Sequence, residues 1–432
     1  MKFKYLGYSF IQVIVRRSRK FFFALLVTGF LLNHFQPVQG ADLKFGGYAK
    51  NFLVIYHNTG LDWGSLLGLP SADFLAAVNQ RMRSRIFYQP VNWLAVEIAY
   101  DLSFRVQDSL LYANIFQISL INPIKYRYDD LNRKVYPAES EYQGSFAVFQ
   151  NLDRFFLTFS NSLGDLYLGR QAIAWGSARV INPTDVIAPF TFDELDKEER
   201  IGVDAVRVRI PLSPLSEFDA GYVIGESALS ENSAFFSRLK LYQLQSDLSV
   251  LLLGFRQNLL IGFDLARSIG GAGTWLETAY VFANVLKQGG RNSAQDYFRA
   301  SAGFDYSFHG NSYAFLEYHF NGAGQMKAKD YLRNLTEIAY QEGAVYLFGK
   351  HYLIPGYTYQ FTPLISGMFQ SLINLTDPSL YLAFSIEYNV AQNVYLMLGS
   401  FIGVGESPSG FTFQTEFGGY PDTYFTSFRI YF

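Results

Sequence analysis

Apolar and polar side chains alternate along most of the chain after residue 40, and this alternation limits how the sequence can fold more than any other feature. In residues 91–104 one set of positions is apolar and the intervening set is mostly small or polar. The apolar set is Leu94, Val96, Ile98, Tyr100, Leu102 and Phe104, and the other is Trp93, Ala95, Glu97, Ala99, Asp101 and Ser103. Successive side chains of a strand point to opposite faces. Each such segment therefore predicts a β-strand with one apolar face.

The number of these segments predicts an all-β chain of about 18 strands. They begin near residues 43, 80, 91, 146, 164, 202, 216, 233, 247, 258, 273, 296, 311, 344, 364, 379, 393 and 422. Sixteen strands is the alternative, because the segments between residues 233 and 268 are difficult to separate. Short turns, such as those at residues 161–164 and 211–216, interleave with longer connections. This arrangement is typical of a membrane-spanning antiparallel β-barrel with short periplasmic turns and long external loops.

Composition favours a membrane barrel over a secreted soluble β-sandwich or propeller. Charged residues are 17% of the chain, below the roughly 25% of soluble domains, whose solvated faces need more charge. The 42 Phe and 31 Tyr can supply the aromatic girdles at the two membrane interfaces. A net charge of −2 indicates no nucleic-acid-binding surface. The absence of cysteine excludes thiolate metal sites and covalently attached haem, and we expect no cofactor.

The first forty residues have the organisation of a secretory signal peptide. A basic stretch precedes the apolar run of residues 21–32, and Val38 and Gly40 are small residues suited to a signal peptidase. The basic residues are Arg16, Arg17, Arg19 and Lys20. We predict cleavage after Gly40, which makes residues 1–40 the signal and residues 41–432 the barrel. A retained membrane anchor is the alternative, but Asn33 and His34 interrupt the run before the roughly 20 apolar residues that a spanning helix needs.

The last segment alternates as well and ends on an aromatic residue. Its alternating positions are Tyr424, Thr426, Phe428, Ile430 and Phe432. This pattern resembles the C-terminal signal by which the outer-membrane assembly machinery recognises its clients, with Phe428, Ile430 and Phe432 as the candidate recognition residues. The resemblance implies the barrel assembly machinery and outer-membrane lipid as partners, and the bacterial outer membrane as the location.

Charged residues occupy positions that the alternation assigns to the interior of the barrel. The basic ones come early and are Arg81, Arg83, Arg85, Arg154, Arg207 and Arg209. The acidic ones come later and are Asp264, Glu277, Asp305, Glu317 and Glu387. In a closed barrel a basic wall would then face a more acidic one, and their transverse field would orient solutes in a pore. Alternatively, these charges pair across the interior and fill a narrow barrel.

Five long connections are expected outside the membrane, at residues 57–79, 106–144, 175–200, 321–343 and 405–421. In the fourth, residues 330–341 have a helical pattern, which predicts a surface helix packed on the mouth of the barrel. The apolar face of that helix would contain Leu332, Leu335, Ile338 and Ala339. A loop of this length could also fold inward and narrow a pore.

The most specific local sequence is G-R-Q-A-I-A-W-G at residues 169–176, followed by N-P-T-D at residues 182–185. It resembles a group of porin-like Gram-negative outer-membrane barrels of poorly characterised function, which have a G-R-Q strand, a W-G at its outer end and an N-P-x-D loop. The matching residues include Arg170, Trp175, Gly176, Asn182, Pro183 and Asp185. The resemblance implies a porin-like barrel of unassigned substrate.

Two roles for this motif remain open. In a structural role, Gly176 permits a sharp exit from the strand, Pro183 keeps Asn182 extended, and Asn182 or Asp185 caps backbone amides. In a functional role, Trp175, Arg179, Asn182 and Asp185 belong to a constriction or ligand-contact loop.

No sequence feature indicates catalysis. The chain contains five His, and it has neither a G-x-S-x-G nor an H-E-x-x-H motif. We therefore predict that the protein is not an enzyme but a passive or weakly selective channel for small solutes, with lumen charges setting selectivity and one loop narrowing the passage. The alternative is a non-conducting or partner-filled structural barrel of a trans-envelope complex, which would contact a periplasmic or surface protein.

Overall fold

The computed structural model describes residues 41–57, 72–112, 126–137, 144–287, 289, 294–308, 310–410 and 412–432. The predicted signal peptide and its cleavage site lie outside these ranges. Among the described residues, no helix is long and apolar enough to cross a membrane.

Nineteen antiparallel strands in the described ranges form one sheet, and eighteen of them make up a closed wall. They are β1 (Asp42–His57), β2 (Phe74–Val91), β3 (Leu94–Gln107), β4 (Lys134–Tyr136), β5 (Phe146–Asn161), β6 (Gly164–Gln171), β7 (Val203–Ser213), β8 (Ser216–Val223), β9 (Ala234–Gln243), β10 (Ser246–Phe255), β11 (Asn258–Ile269), β12 (Ala272–Phe282), β13 (Tyr297–Phe308), β14 (Ser312–Asn321), β15 (His351–Thr362), β16 (Ile365–Asn374), β17 (Ser379–Ala391), β18 (Val394–Val404) and β19 (Asp422–Tyr431).

The wall closes because β1 pairs with both β2 and β19. Lys50 lies opposite Arg81 on one side and opposite Arg429 on the other. The prediction of an antiparallel barrel of about 18 strands is confirmed. Most strands begin within about three residues of the predicted positions. The two larger errors are β2, which begins at Phe74 rather than near 80, and β15, which begins at His351 rather than near 344.

The remaining strand, β4, covers an edge of the sheet. β6 is short and pairs with β5 only over Phe155–Asn161, which leaves the first half of β5 without a neighbour on that side. β4 pairs there with Val148 and Phe149. The amide of Gln150 also donates to the carbonyl of Arg133 at 2.7 Å. These contacts satisfy backbone groups that would otherwise be unpaired.

Short turns lie at one end of the barrel, which we call the turn end, and most of the long connections lie at the other, the loop end. At the turn end, Leu244 and Gln245 have φ angles of 52° and 57°, as a two-residue hairpin turn requires. Along the wall, outward-facing residues such as Leu53, Leu276 and Ile386 are exposed. Inward-facing Asp101 and Glu277 are buried. The outer and inner faces of the wall therefore correspond to the two alternating sets of positions in the sequence.

The interior at the loop end is packed rather than open. Two apolar clusters fill it, built from wall residues such as Phe52 and Tyr381 together with loop residues such as Phe192, Tyr331 and Phe348. The alternation of small or polar inward positions therefore does not describe this end of the barrel. Loops bring in apolar side chains, and apolar positions on the inner wall pack against them.

The helix predicted over residues 330–341 is also wrong as a continuous element. A 3₁₀-helix runs over Ala328–Thr336, and one helical turn covers Ile338–Gln341. Extended backbone at Glu337, with φ −83° and ψ 142°, separates them. The buried positions are Tyr331, Asn334, Ala339 and Tyr340, whereas Leu332 is exposed. Tyr331 and Tyr340 pack into the aromatic interior. This packing, and not the predicted apolar face of Leu332, Leu335, Ile338 and Ala339, determines which side of the segment is buried.

Candidate functional site

The connection between β6 and β7, residues 172–202, folds into the barrel and is named the crossing loop. Its apolar residues Ile173, Ile181, Val186 and Ile187 are almost completely buried. It contacts the wall first at β11–β14 and then at β1, β2 and β5. With β4 left aside, strands of the two groups lie six to nine positions apart around the eighteen-stranded wall, where nine is the largest possible separation. The loop therefore spans the lumen from one side to the other.

Glu277 on β12 anchors the first half of the crossing loop. Its side chain is completely buried. Its carboxylate accepts hydrogen bonds from the amides of Ser177 and Ala178, both at 3.1 Å, and from the amide of Thr184 at 2.9 Å. The Thr184 hydroxyl donates as well, at 2.7 Å. One wall carboxylate thus replaces the partners that three loop amides lose when they leave water.

Glu317 on β14 anchors the next part of the crossing loop, residues 179–181. It accepts from the amides of Arg179 at 2.7 Å and Ile181 at 3.0 Å, and from the indole of Trp275 at 3.1 Å. Asp305 on β13 binds the Arg179 guanidinium, with the shortest contact at 2.6 Å. On β11, Asp264 accepts a hydrogen bond from the hydroxyl of Ser177. The four acidic wall residues therefore hold residues 177–184 in one conformation.

The second half of the loop carries acidic residues and binds the basic wall. Lys50 on β1 is completely buried and lies 2.8 Å from Asp196 and 2.6 Å from Glu198. Arg81 is 3.2 Å from Asp196. Arg83 and Arg154 lie 3.7 and 3.5 Å from Glu199. The loop thus presents amide donors to the acidic wall and carboxylates to the basic wall.

All six basic residues singled out in the sequence also pair with carboxylates of the barrel wall. The pairs are Arg81–Asp101 at 3.0 Å, Arg83–Asp153 at 2.8 Å, Arg85–Glu97 at 3.0 Å, Arg154–Asp153, Arg207–Asp219 at 2.7 Å and Arg209–Glu217 at 2.5 Å. Glu387 pairs with Arg429 near the turn end. The six basic residues lie on β2, β5 and β7, whereas four of the five acidic residues lie on β11–β14 and Glu387 lies on β17. Among the described residues, no ion pair joins the basic group to the acidic group on β11–β14, because the crossing loop lies between them.

Gly176 of the sequence motif has a conformation and a position that strongly favour glycine. Its φ is +110°, which L side chains rarely adopt. A Cβ atom here would lie 2.6 Å from the Asn182 side-chain oxygen and 2.7 Å from the Glu277 carboxylate. The glycine therefore lets the Glu277 carboxylate approach the chain where the loop turns away from the wall.

The other motif residues lie in or beside the crossing loop. Trp175 is buried and its indole donates to Asp219 at 3.4 Å. The Asp185 amide donates to the Asn182 carbonyl at 3.2 Å, closing a turn around Pro183. Arg170, on β6, binds Asp204 and Asp130, both at 2.7 Å. These contacts are consistent with the structural role of the motif, and the location of Trp175, Arg179, Asn182 and Asp185 in a lumen-crossing loop is consistent with the functional role.

A cavity of about 220 Å³ borders the crossing loop. It is lined by the loop residues Arg179, Val180, Asn182, Asp185, Pro189, Phe190, Lys197 and Arg200, by the wall residues Arg299, Met368 and Gln370, and by Ala344 and Tyr346. Four of these side chains are cationic and one is a carboxylate. Asp185 binds Arg200, and Arg200 also donates to the Ala188 carbonyl at 2.6 Å.

Sequence reasoning missed several residues of this site, including Lys50, Arg299 and the acidic segment 193–199. Lys50 stands at an inward position of β1, so the alternation alone could have identified it. Arg299 is also inward on β13, but only the folded loop shows that it borders a cavity. Among the described residues, no group of three or more His, Asp or Glu is placed to hold a metal ion.

Solved structures share this fold. Outer membrane protein opdK from Pseudomonas aeruginosa matches with a TM-score of 0.52 at 9% identity, over 90% of this chain and 98% of that chain. OccAB2 from Acinetobacter baumannii matches with a TM-score of 0.55 at 9% identity, over 92% and 99%. OccD3 (OpdP) from Pseudomonas aeruginosa matches with a TM-score of 0.51 at 9% identity, over 92% of each chain. The chain therefore has the fold of an outer-membrane porin.

At the level of sequence, no family model matches the chain and no curated protein is detectably similar. The structural likeness at this identity concerns the fold alone, and the motif of residues 169–185 receives no support from it.

Proposed function

We propose that this protein is a porin-like channel of the Gram-negative outer membrane, through which small solutes pass passively or with weak selectivity. The observation that carries the proposal is the crossing loop, which lies within a closed eighteen-stranded barrel and is held on both walls. A loop folded into the lumen narrows a passage without closing the barrel. The proposal assigns no catalytic chemistry and no cofactor to the chain.

The proposal includes the route to the membrane. An exported chain would lose residues 1–40, and the barrel assembly machinery would then insert residues 41–432. Phe428 and Ile430 are exposed on the outer face of β19, where the machinery could contact them together with Phe432. Exposed apolar side chains elsewhere on the wall would face outer-membrane lipid.

The charged side chains that line the lumen would affect which solutes pass. Most wall charges are neutralised by neighbours or by the crossing loop, so they contribute little net field. Lys197 and Arg299 at the cavity bordering the loop are an exception, because within the described part of the chain neither has a carboxylate at ion-pair distance. A chain with the same fold, OpdK, has been solved with vanillate, an aromatic carboxylate. We propose that anions are favoured over cations at the narrowest point.

The test is to refold residues 41–432 and record single-channel currents in a planar lipid bilayer, with the reversal potential measured across a salt gradient. Discrete, steady current steps with anion preference are the expected result. A barrel that shows heat-modifiable mobility on gels but no current steps would contradict the channel. Cation preference would contradict only the selectivity.

A second candidate is a barrel that does not conduct by itself and works within a trans-envelope complex with a periplasmic or surface protein. The aromatic packing at the loop end favours it, because Tyr331, Phe348 and Phe413 bring the β14–β15 and β18–β19 loops together inside the mouth. A barrel that stays silent alone but conducts or binds after addition of a defined partner would support this alternative.

A further inference from the structure

The wall of the barrel has a gap between β5 and β7, beyond the end of β6. β6 has 8 residues, fewer than the roughly 9–11 that a tilted strand needs to cross the hydrocarbon layer. β5 has 16 residues, and its first half continues past the end of β6 towards the loop end. We call this gap the notch. Because it lies towards the loop end, the notch reaches the outer part of the membrane.

Residues 126–137, which we call the filling segment, occupy the notch. The carbonyl of Tyr126 accepts from the amide of Asp204 on β7 at 2.9 Å, and the amide of Tyr128 donates to the Asp204 carboxylate at 3.0 Å. On the other side of the notch, β4 pairs with β5 at two positions. By comparison, β3 pairs with β5 over the whole range Leu94–Val106. The notch is thus closed by a short segment and not by a strand of full length.

Arg170, the arginine of the sequence motif, holds the filling segment from the end of β6. Its guanidinium donates to both carboxylate oxygens of Asp204, at 2.7 and 3.0 Å, and to the carbonyl of Leu152 on β5 at 3.0 Å. It also donates to the Asp130 carboxylate at 2.7 Å and to the Asp129 carbonyl at 2.8 Å, both in the filling segment. One side chain therefore joins β5, β7 and the filling segment.

The ion pairs at the notch allow the filling segment to leave without creating an unpaired charge on Arg170 or Asp130. Arg127 pairs with Asp130 at 2.6 Å within the segment, and Arg170 pairs with Asp204 within the wall. Displacing the segment breaks the contact between Arg170 and Asp130, but each of these two charges keeps its other partner. Because an unpaired buried charge is the largest electrostatic cost of breaking an ion pair, this arrangement lowers the cost of opening the notch.

Apolar side chains lie on both sides of the notch. On the inside, Tyr126 is completely buried and belongs to the same apolar cluster as Ile173 and Trp175 of the crossing loop. On the outside, Leu131 and Tyr136 of the filling segment are exposed. A path through the notch therefore joins an apolar interior to lipid, whereas a path through the mouth of the barrel ends in water.

We propose that the notch is a lateral exit, through which an apolar solute passes between the interior at the loop end and the outer leaflet when the filling segment moves away from the wall. This route goes beyond the proposed channel, which carries small solutes along the barrel axis. It also needs no opening of the aromatic packing at the mouth.

The test uses residues 41–432 reconstituted in lipid vesicles and trifluoromethyl-phenyldiazirine, an apolar reagent that dissolves in the acyl layer and labels nearby side chains on irradiation. Mass spectrometry after digestion locates the labelled residues. We expect label on Ile173 and Trp175 in addition to exposed wall residues such as Phe155 and Val206. Label on the exposed residues without label on Ile173 or Trp175 would overturn the proposal.

A disulfide between the filling segment and the wall tests whether the reagent enters through the notch. The chain has no cysteine, and Tyr136 and Val148 are directly opposed in the pairing of β4 with β5. Opposed residues of antiparallel strands have Cα atoms about 4.5–5.5 Å apart, within the range of disulfides. Oxidation of the variant Tyr136→Cys with Val148→Cys should lower the labelling of Ile173 and Trp175 at least fivefold, and reduction should restore it.

The control disulfide joins two wall strands that pair along their length. Leu53 on β1 and Thr426 on β19 are directly opposed. Oxidation of Leu53→Cys with Thr426→Cys should leave the labelling of Ile173 and Trp175 unchanged. If neither disulfide changes this labelling, the reagent enters along the barrel axis and the lateral exit is contradicted.

Two neighbouring carboxylates of the filling segment provide a matched pair of variants. Asp130→Asn should raise the labelling of Ile173 and Trp175 at least twofold, because a neutral amide holds Arg170 less strongly. Asp129→Asn is the control, because the Asp129 side chain is exposed and its contact with Arg170 is made by the backbone carbonyl. If the segment were a purely structural part of the wall, Asp130→Asn would lower the unfolding temperature without raising the labelling.

The outcomes for the channel and for the lateral exit can be separated. Labelling of the interior through the notch of a barrel that carries no current would contradict the channel and preserve the exit. Steady current steps from a barrel whose interior is never labelled would contradict the exit and preserve the channel.

Discussion

The carboxylate of Glu277 accepts both the amide and the hydroxyl of Thr184, at 2.9 and 2.7 Å, across the lumen-facing surface of β12. The same carboxylate binds the amides of Ser177 and Ala178. Replacing Glu277 with Ala would leave three loop amides without this acceptor, and each of the two buried ones, of Ala178 and Thr184, would cost about 1–3 kcal/mol. We expect Glu277→Ala to release residues 177–184 from the wall, so that open-channel current becomes noisier and larger.

Single-channel recording and limited proteolysis of the refolded barrel measure this effect. Glu387→Ala is the control, because Glu387 pairs with Arg429 on the wall and lies in a different part of the barrel. Equal current noise in the two variants would show that the crossing loop does not depend on Glu277.

Gly176→Ala should destabilise the barrel where the crossing loop contacts Glu277. The φ of +110° is strained for alanine, which costs about 1–3 kcal/mol. The added methyl group would also displace the Glu277 carboxylate, 2.7 Å from the new carbon. We expect a lower midpoint of unfolding in urea and faster proteolysis within residues 172–202.

Gly310→Ala is the control for Gly176→Ala, because it distinguishes backbone strain from steric conflict with a neighbouring side chain. Gly310 has a φ of +91°, but an added Cβ would meet no atom within 4 Å. It therefore carries a backbone cost similar to that of Gly176 without the contact to a carboxylate. If Gly310→Ala were as damaging as Gly176→Ala, the close approach of Glu277 would have no role.

Lys50→Met should loosen the second half of the crossing loop. Lys50 is completely buried between Asp196 and Glu198. Breaking a buried ion pair from one side costs roughly 3–5 kcal/mol, and we expect the lower end because Arg81 remains beside Asp196. The free energy of unfolding in urea and the protection of residues 193–199 from hydrogen exchange should both fall.

The matched control for Lys50 is a second lysine of β1. Lys44 forms an ion pair with Asp42 at 2.7 Å, but its side chain is 68% exposed. Exposed pairs contribute about 0–1 kcal/mol, so Lys44→Met should change stability little. Comparable losses in the two variants would argue that the loop is held by its apolar residues alone.

The wall of the barrel could be predicted from sequence because its signal is local. Strand number and inward or outward direction follow from period-two alternation in segments of about ten residues. The wrong start predicted for β15 also arises from this reliance on local sequence. Residues 344–348 are apolar and resemble the start of a strand, yet they pack inside the lumen, and the strand begins only at His351.

The crossing loop could not be predicted in this way, because its partners lie far away in sequence. Thr184 and Glu277 are 93 residues apart, and Lys50 and Asp196 are 146 apart. The sequence of residues 172–202 alone does not indicate which part of the barrel wall its amides or carboxylates will contact. The motif of residues 169–185 overlaps this loop, but the close approach of Gly176 to Asn182 and Glu277 exists only in the folded lumen.

At the loop end, we expect the contact between the β14–β15 and β18–β19 loops to depend on pH through Glu416. Its carboxylate is completely buried and accepts from the Phe348 amide at 2.8 Å, from Asn374 at 2.7 Å and from the Tyr352 hydroxyl at 2.5 Å. Burial raises the pKa of Glu416 from about 4.5 to about 7.

Because the pKa is raised in the closed arrangement, the closed state binds a proton more readily than an opened state in which Glu416 meets water. Its stabilising effect is therefore complete below about pH 4.5 and is lost as the pH rises through about 7. Hydrogen exchange of residues 412–421, corrected for intrinsic rates, should show more frequent opening at pH 8 than at pH 5. In Glu416→Gln this difference should disappear, whereas Glu406→Gln, at an exposed position of the same loop, should retain it. The same pH dependence in parent and Glu416→Gln barrels would assign the effect to another group and contradict a role for Glu416 in holding the two loops together.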